Sequence, residues 1–203
     1  MSATRLLVLG VVRGYGQAHG YQVRRELLSW GADHWANVAP GSIYHALKKL
    51  AKDGLLAEVA SEEGDAGPDR LVYALTHDGE TEFVQLLTKA LSSTDPGNES
   101  IFAATTFLTT LTRAHVIGLL GYRLSQVRAS LDDARRSVAG NADMGKPAHV
   151  RELFRHWEYA AEAEARWAEQ LIERLEAGEY VMADDSPDHF GHPGAADQPP
   201  PLK

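Results

Sequence analysis

The chain has 203 residues, 44% of them hydrophobic and 24% charged, with a formal net charge of -8. That composition suits one large globular domain or two small ones. Cysteine is absent, which excludes disulfides and thiolate metal sites and makes the cytoplasm the simplest home. No apolar run approaches the roughly 18 residues of a membrane span.

The acidic total hides an asymmetry. Between Met1 and Ala57 the basic residues are Arg5, Arg13, Arg24, Arg25, Lys48, Lys49 and Lys52, against Glu26, Asp33 and Asp53. The N-terminal part is therefore locally positive, and a polyanionic partner is open to it.

The opening stretch, MSATRLLVLGVVRG, is interrupted by Arg5 and Arg13 and lacks a small-residue cleavage site. It reads as a first helix, not a signal peptide. Leu6, Leu7, Leu9 and Val12 give that helix an apolar face, and Gly14, Gly16 and Gly20 end it. Tyr21 to Trp30 forms a second helix with Val23, Leu27 and Leu28 inward. A connector from Gly31 to Ala39 leads to Pro40-Gly41-Ser42, where Ser42 can cap a third helix that Gly54 stops.

On a wheel of about 100° per residue, Ile43, Leu47 and Leu50 fall on one side of the third helix. His45, Lys48, Lys49 and Lys52 fall on the other, with Tyr44 flanking. Such a helix can anchor by one face while the other offers cations to phosphates and polar groups to base edges. After it, Leu55, Ala57 and Val59, then Leu71, Tyr73 and Leu75, alternate across a turn-rich loop and predict a β-hairpin. Three helices and a hairpin are the order of a winged helix-turn-helix.

Downstream the pattern is helical. Thr76 or Asp78 starts a helix through Phe83, Leu87 and Leu91, and a short helix follows around Ile101 to Leu111. Thr112 then caps a long helix through Leu131. Pro147 opens another to Ala177, which Gly178 ends. Their apolar faces call for a partner chain. The segment from Ala183 to Lys203, rich in Pro, Asp, Gly and His, is expected to be disordered.

Four spaced motifs make the reading specific. His19-Gly20-Tyr21, Pro40-Gly41-Ser42-Ile43-Tyr44, Ala46-Leu47-x-x-Leu50 with Gly54-Leu55-Leu56, and Tyr73-x-Leu75-Thr76-x-x-Gly79 resemble the PadR family of transcriptional regulators. The resemblance covers roughly Leu6 to Phe83. It implies that Tyr21, Ser42 and Tyr44 touch operator phosphates and that His45, Lys48 and Lys49 face the groove. Gly41 would allow close approach of the turn, and Arg70 would be a basic wing position. The loop from Glu62 to Arg70 departs from the family by setting four carboxylates beside one arginine. The downstream helices resemble those of the longer family members, which dimerise through them. Some members bind flat aromatic drugs at a dimer interface through tryptophan, which would give Trp157 or Trp167 a ligand role; dimer packing is the preferred reading of both.

The resulting expectation is a mainly α chain with a β-hairpin wing. A winged helix-turn-helix domain spans residues 1–77, a helical dimerisation and effector domain 78–182, and a disordered tail 183–203. It would bind a double-stranded operator as a homodimer, most simply as a repressor relieved by a small aromatic ligand. The competing reading is a helical interaction or ligand-sequestering protein whose winged helix binds no operator. No nucleophile elbow, phosphate loop or dinucleotide fingerprint is present, and the nine histidines form no tight cluster with carboxylates. Neither an enzyme nor a metal or cofactor site is expected.

Overall fold

The computed structural model describes residues 3–59, 71–94, 99–140, 145 and 147–193. Helix α1 (Ala3–Tyr15) is buried nearly all round, with Leu6, Leu7, Val8, Leu9 and Val12 fully enclosed. It is a central helix and not the one-faced helix its pattern suggests, because α2 (Gly20–Ser29), α4 (Pro40–Lys52), α6 (Glu99–Phe107) and β3 (Val72–Leu75) all pack on it. Gly10 matters here. A Cβ at that position would stand 2.3 Å from Cζ of Phe107, so the bare backbone seats the α6 ring.

Between α1 and α2 lies a strand the sequence does not announce, β1 (Gln17–His19). Gly16, in the left-handed region, makes the turn into it. The sheet order is β1-β3-β2, with β2 spanning Leu56–Val59 and both pairings antiparallel. The expected hairpin is present as β2 and β3, with Leu56 opposite Leu75 and Val59 opposite Val72. Its loop, residues 60–70, lies outside the described residues.

The connector contains one helical turn, α3 (Ala32–Trp35), entered through left-handed Gly31. Asn37, also left-handed, turns the chain toward α4; asparagine tolerates that conformation better than most residues. Gly54 ends α4 with a positive φ, its N–H donating to the Ala51 carbonyl while Leu55 N–H donates to the Leu50 carbonyl. That is the two-bond helix stop glycine favours. Thr76 caps α5 (His77–Ser92): its hydroxyl oxygen accepts from Gly79 N–H at 3.0 Å and its O–H donates to the Gly54 carbonyl at 2.8 Å.

The described residues form two compact units. One takes those within Met1–Leu91, Pro96–Thr112 and Val181–Lys203, the other those within Ser92–Asp95 and Arg113–Tyr180. The first unit thus keeps nearly all of α5 and the whole of α6, which the pattern-based boundary at 77/78 assigns to the helical region. The reason is packing: Phe83, Leu87, Leu91, Ile101 and Phe107 are buried in that unit.

The second unit is built on α7 (Arg113–Gly140) and α8 (Arg151–Glu176), which run antiparallel. Leu124, Val127, Ala165 and Ala168 form their core. Arg123, only 5% exposed, pairs with Glu164 at 2.7 Å, and Arg135 meets Glu158 and Glu162. Pro147 precedes a single 3-10 turn (Ala148–Val150) before α8, and left-handed Gly178 closes α8.

The expectation of a disordered tail from Ala183 fails over its first part. Residues 181–193 are ordered against the first unit, with Met182 fully buried and His189 6% exposed. Residues 194–203 lie outside the described set.

Two outcomes follow. A Cβ on Gly79 would sit 2.1 Å from the Leu55 carbonyl oxygen, a backbone atom that cannot step aside. Gly79→Ala should therefore cost about 1–3 kcal/mol in urea unfolding. Burial raises the Tyr15 and Tyr73 phenols above their ordinary value, helped by the bond Tyr15 donates to Glu26 and by the charge of Glu58 near Tyr73. The folded state holds these protons more tightly, so their contribution is complete below about pH 10 and is lost as pH rises through the folded values. The urea midpoint should fall with alkalinity in that range, and less steeply in Tyr15→Phe.

Candidate nucleic-acid interface

The third principal helix, α4, has the two faces its sequence predicts. Ile43, Leu47 and Leu50 are at most 1% exposed, while Tyr44, His45, Lys48, Lys49 and Lys52 face solvent. Burying three such side chains contributes about 1.5–3 kcal/mol each, against about 1 for a helix cap. Packing therefore decides where α4 lies. The cap differs from expectation: Ala39 is the N-cap, Pro40 opens the helix, and Ser42 sits in the first turn with its hydroxyl donating to the Ala39 carbonyl at 2.6 Å. Serine cannot serve as the cap once proline has already started the helix one position after Ala39.

Tyr44 is seated by the backbone of α2. A Cβ on Gly20 would lie 2.9 Å from its ring, so Gly20 makes the notch and Tyr44 stays 43% exposed beside it. The next residue, Tyr21, is 55% exposed, with the Arg25 guanidinium 6.0 Å from its ring centroid. The fold thus gathers two tyrosines from separate motifs at the start of α2. Arg25 is the residue that sequence reasoning left without a role. Its only signal there was its share in the local positive charge.

The three lysines are not equivalent. Lys49 Nζ lies 3.4 Å from Asp53, one helical turn on, and Asp53 also meets Arg5 at 3.4 Å. Lys48 and Lys52 form no ion pair with another described residue and line an open groove with Ala51, Leu56 and Glu58. Glu58, on β2, gives that groove a carboxylate. Gly41 has nothing within 4 Å of a built Cβ and no positive φ, so the fold itself does not require glycine there. Arg70 and the acidic loop lie outside the described residues.

Trp157 and Trp167 stand apart on α8. Trp157 is half-exposed on α8 with its ring edge-on to Phe154 at 5.5 Å. Trp167 packs on the α7–α8 core. Ten residues on an α-helix are about 280° of turn, so the two indoles point different ways. Leu153 and Tyr159 on α8 and Tyr122 on α7 are also exposed.

A helical trio whose last member is anchored on one face and polar on the other, joined to a small antiparallel sheet, defines a winged helix-turn-helix protein. Residues 8–85 match the transcriptional regulator PadR-like family, a span that holds all the described side chains gathered here on α2 and α4. Through that segment the chain is similar to the PadR-like family of transcriptional regulators.

Among solved structures it is similar to Bacillus subtilis PadR in complex with operator DNA, with 20% identity over 86% of this chain and 98% of that one and a TM-score of 0.40. The same protein in complex with p-coumaric acid gives 18%, 86%, 96% and 0.37. A PadR-like transcriptional regulator from Bacillus cereus gives 17%, 86%, 99% and 0.36. No curated protein matches the chain. Among the described residues, no helix is long and apolar enough to cross a membrane.

Since Gly41 is unconstrained within the chain, Gly41→Ala should leave the melting temperature unchanged or slightly raised, because alanine favours the helix by up to about 1 kcal/mol. A clear loss of stability would show a structural need for glycine there.

Proposed function

We propose that the protein is a sequence-specific DNA-binding repressor that acts as a dimer on a palindromic operator in the cytoplasm. The observation that carries this reading is α4: a helix held by Ile43, Leu47 and Leu50 that turns His45, Lys48, Lys49 and Lys52 outward. Its polar face enters the major groove. Tyr21, Ser42 and Tyr44 contact phosphates beside it, Gly41 lets the backbone approach, and Arg70 adds a wing contact. Lys48 and Lys52 carry most of the phosphate attraction, since Lys49 shares its charge with Asp53.

Dimerisation runs through the second unit, whose exposed Leu153, Trp157, Tyr159 and Tyr122 are the apolar surface a second copy covers. Two reading heads then meet half-sites about 34–36 Å apart. A planar aromatic effector that lodges at Trp157 or Trp167 releases the operator by favouring a dimer whose spacing no longer fits.

The test is a mobility shift on the DNA upstream of the protein's own coding region and on neighbouring promoters. Lys48→Ala should weaken specific binding and lower the salt slope by about one, with Lys49→Ala weaker in effect. Unchanged binding in the double variant would remove α4 as the reading helix. No specific shift on any of these DNAs would favour an interaction or ligand-sequestering protein that has kept the winged helix.

A further inference from the structure

The segment that leaves α8 does not trail into solvent. It runs back over the first unit and is fastened at five points. Ala183 N–H donates to the Leu111 carbonyl at 3.4 Å, and Met182 is fully buried. The Phe190 ring stacks on Phe107 with centroids 6.1 Å apart and tilts against Trp30 at 6.0 Å. Thr109 Oγ1 donates to the Phe190 carbonyl at 3.0 Å, and Arg13 donates to the Gly191 carbonyl. Gly191 has φ +84, and a built Cβ would stand 2.7 Å from Thr110 Cγ2, so glycine suits this approach on both counts.

The places it touches belong to the scaffold of the reading helix. Trp30 is the C-cap of α2, and its carbonyl accepts from Trp35 Nε1 at 2.8 Å across the α2–α3 turn. Phe107 fills the Gly10 notch of α1. Arg13 also pairs with Glu80 at 2.8 Å at the start of α5 and lies over the Phe83 ring. Helices α1 and α2 are in turn the surfaces on which α4 rests. Yet the segment has no helix or strand of its own, and Phe190 stays 46% exposed. A segment without a ladder of backbone bonds belongs to the low-stability end of a fold, where local opening is easy.

We propose that residues 181–193 are an intramolecular latch: docking of Phe190 against the Trp30–Phe107 pair holds the α1–α2 scaffold in the form that presents α4 to DNA, and release of the latch weakens operator binding. The DNA half of this proposal rests on the operator reading above. The coupling is a population effect. When the latch opens, the apparent Kd rises by the inverse of the fraction that stays competent.

The experiment compares the full chain with Phe190→Ala and Gly191→Val by hydrogen exchange and by operator binding. Gly191→Val combines a strained φ with a clash on Thr110 and leaves Phe190 in place, so it serves if Phe190→Ala folds poorly. The expected result is faster exchange over residues 181–193 and over the α2–α3 turn, circular dichroism unchanged, and operator Kd raised roughly threefold or more. Exchange over 181–193 at the unprotected rate in the unaltered chain would overturn the docking. Faster exchange there with operator affinity and α2–α3 protection unchanged would reduce the segment to passive packing. If the unaltered chain bound no operator, the DNA reading would fall and the coupling with it, while the exchange arm would still judge the docking.

Discussion

The reading helix depends on a joint no larger than four residues. Gly54 and Leu55 leave α4, and Thr76 and Gly79 begin α5. Thr76 N–H donates to the Leu55 carbonyl, and its hydroxyl spans from the Gly54 carbonyl to the Gly79 amide. Gly79 has to lack a side chain because the same Leu55 carbonyl occupies the space. The C-terminal end of α4, the edge of the sheet and the cap of α5 are thereby fixed to one another through backbone atoms. Side-chain packing through Ile43, Leu47 and Leu50 then sets which face of α4 is outward. Neither device alone would do so. The joint fixes the end, and the apolar anchors fix the rotation.

Charge is distributed on this frame with some economy. Asp53 closes α4 and takes both Lys49 and Arg5, while Lys48 and Lys52 stand a turn apart over the groove beside β2. An exposed pair like Lys49–Asp53 contributes little to stability, about 0–1 kcal/mol, so its consequence is mainly for what the surface offers a polyanion. Glu58 tempers the same groove. A chain with net charge -8 can therefore carry a positive reading face because the sign is set locally, within a Debye length of about 8–10 Å.

The second unit works by different means. Its two long helices share a core of small and medium side chains, and Arg123 is buried between Glu164 and the Ser93 carbonyl. A buried arginine held on several sides specifies geometry more than it adds stability, since desolvation offsets much of the attraction. The ion pairs of Arg123 and Arg135 bridge α7 and α8, and Trp157 and Tyr159 of α8 stay exposed.

The sequence by itself determined what depends on neighbours a few residues away. The two faces of α4, the stop at Gly54, the hairpin of β2 and β3, and the spaced motifs that resemble the PadR family were legible, because periodicity and turn chemistry are local; the alternation was not, since Leu56 is buried and Ala57 exposed. What only the tertiary structure decided depends on residues far apart in the chain. Three residues between Gly16 and Gly20 are too few to show a strand's alternation, so β1 exists only because β3 offers its edge. Ala39 is the cap of α4 and Ser42 is not, since the incoming chain fixes where the first turn begins. The pairing of Lys49 with Asp53 distinguishes lysines that look equal on a wheel. The composition of residues 183–193 reads as disorder, yet Phe190 finds Trp30 and Phe107, and Gly191 finds Arg13. A low average hydrophobicity says that a segment cannot build a core alone; it says nothing about a ready-made slot elsewhere on the chain.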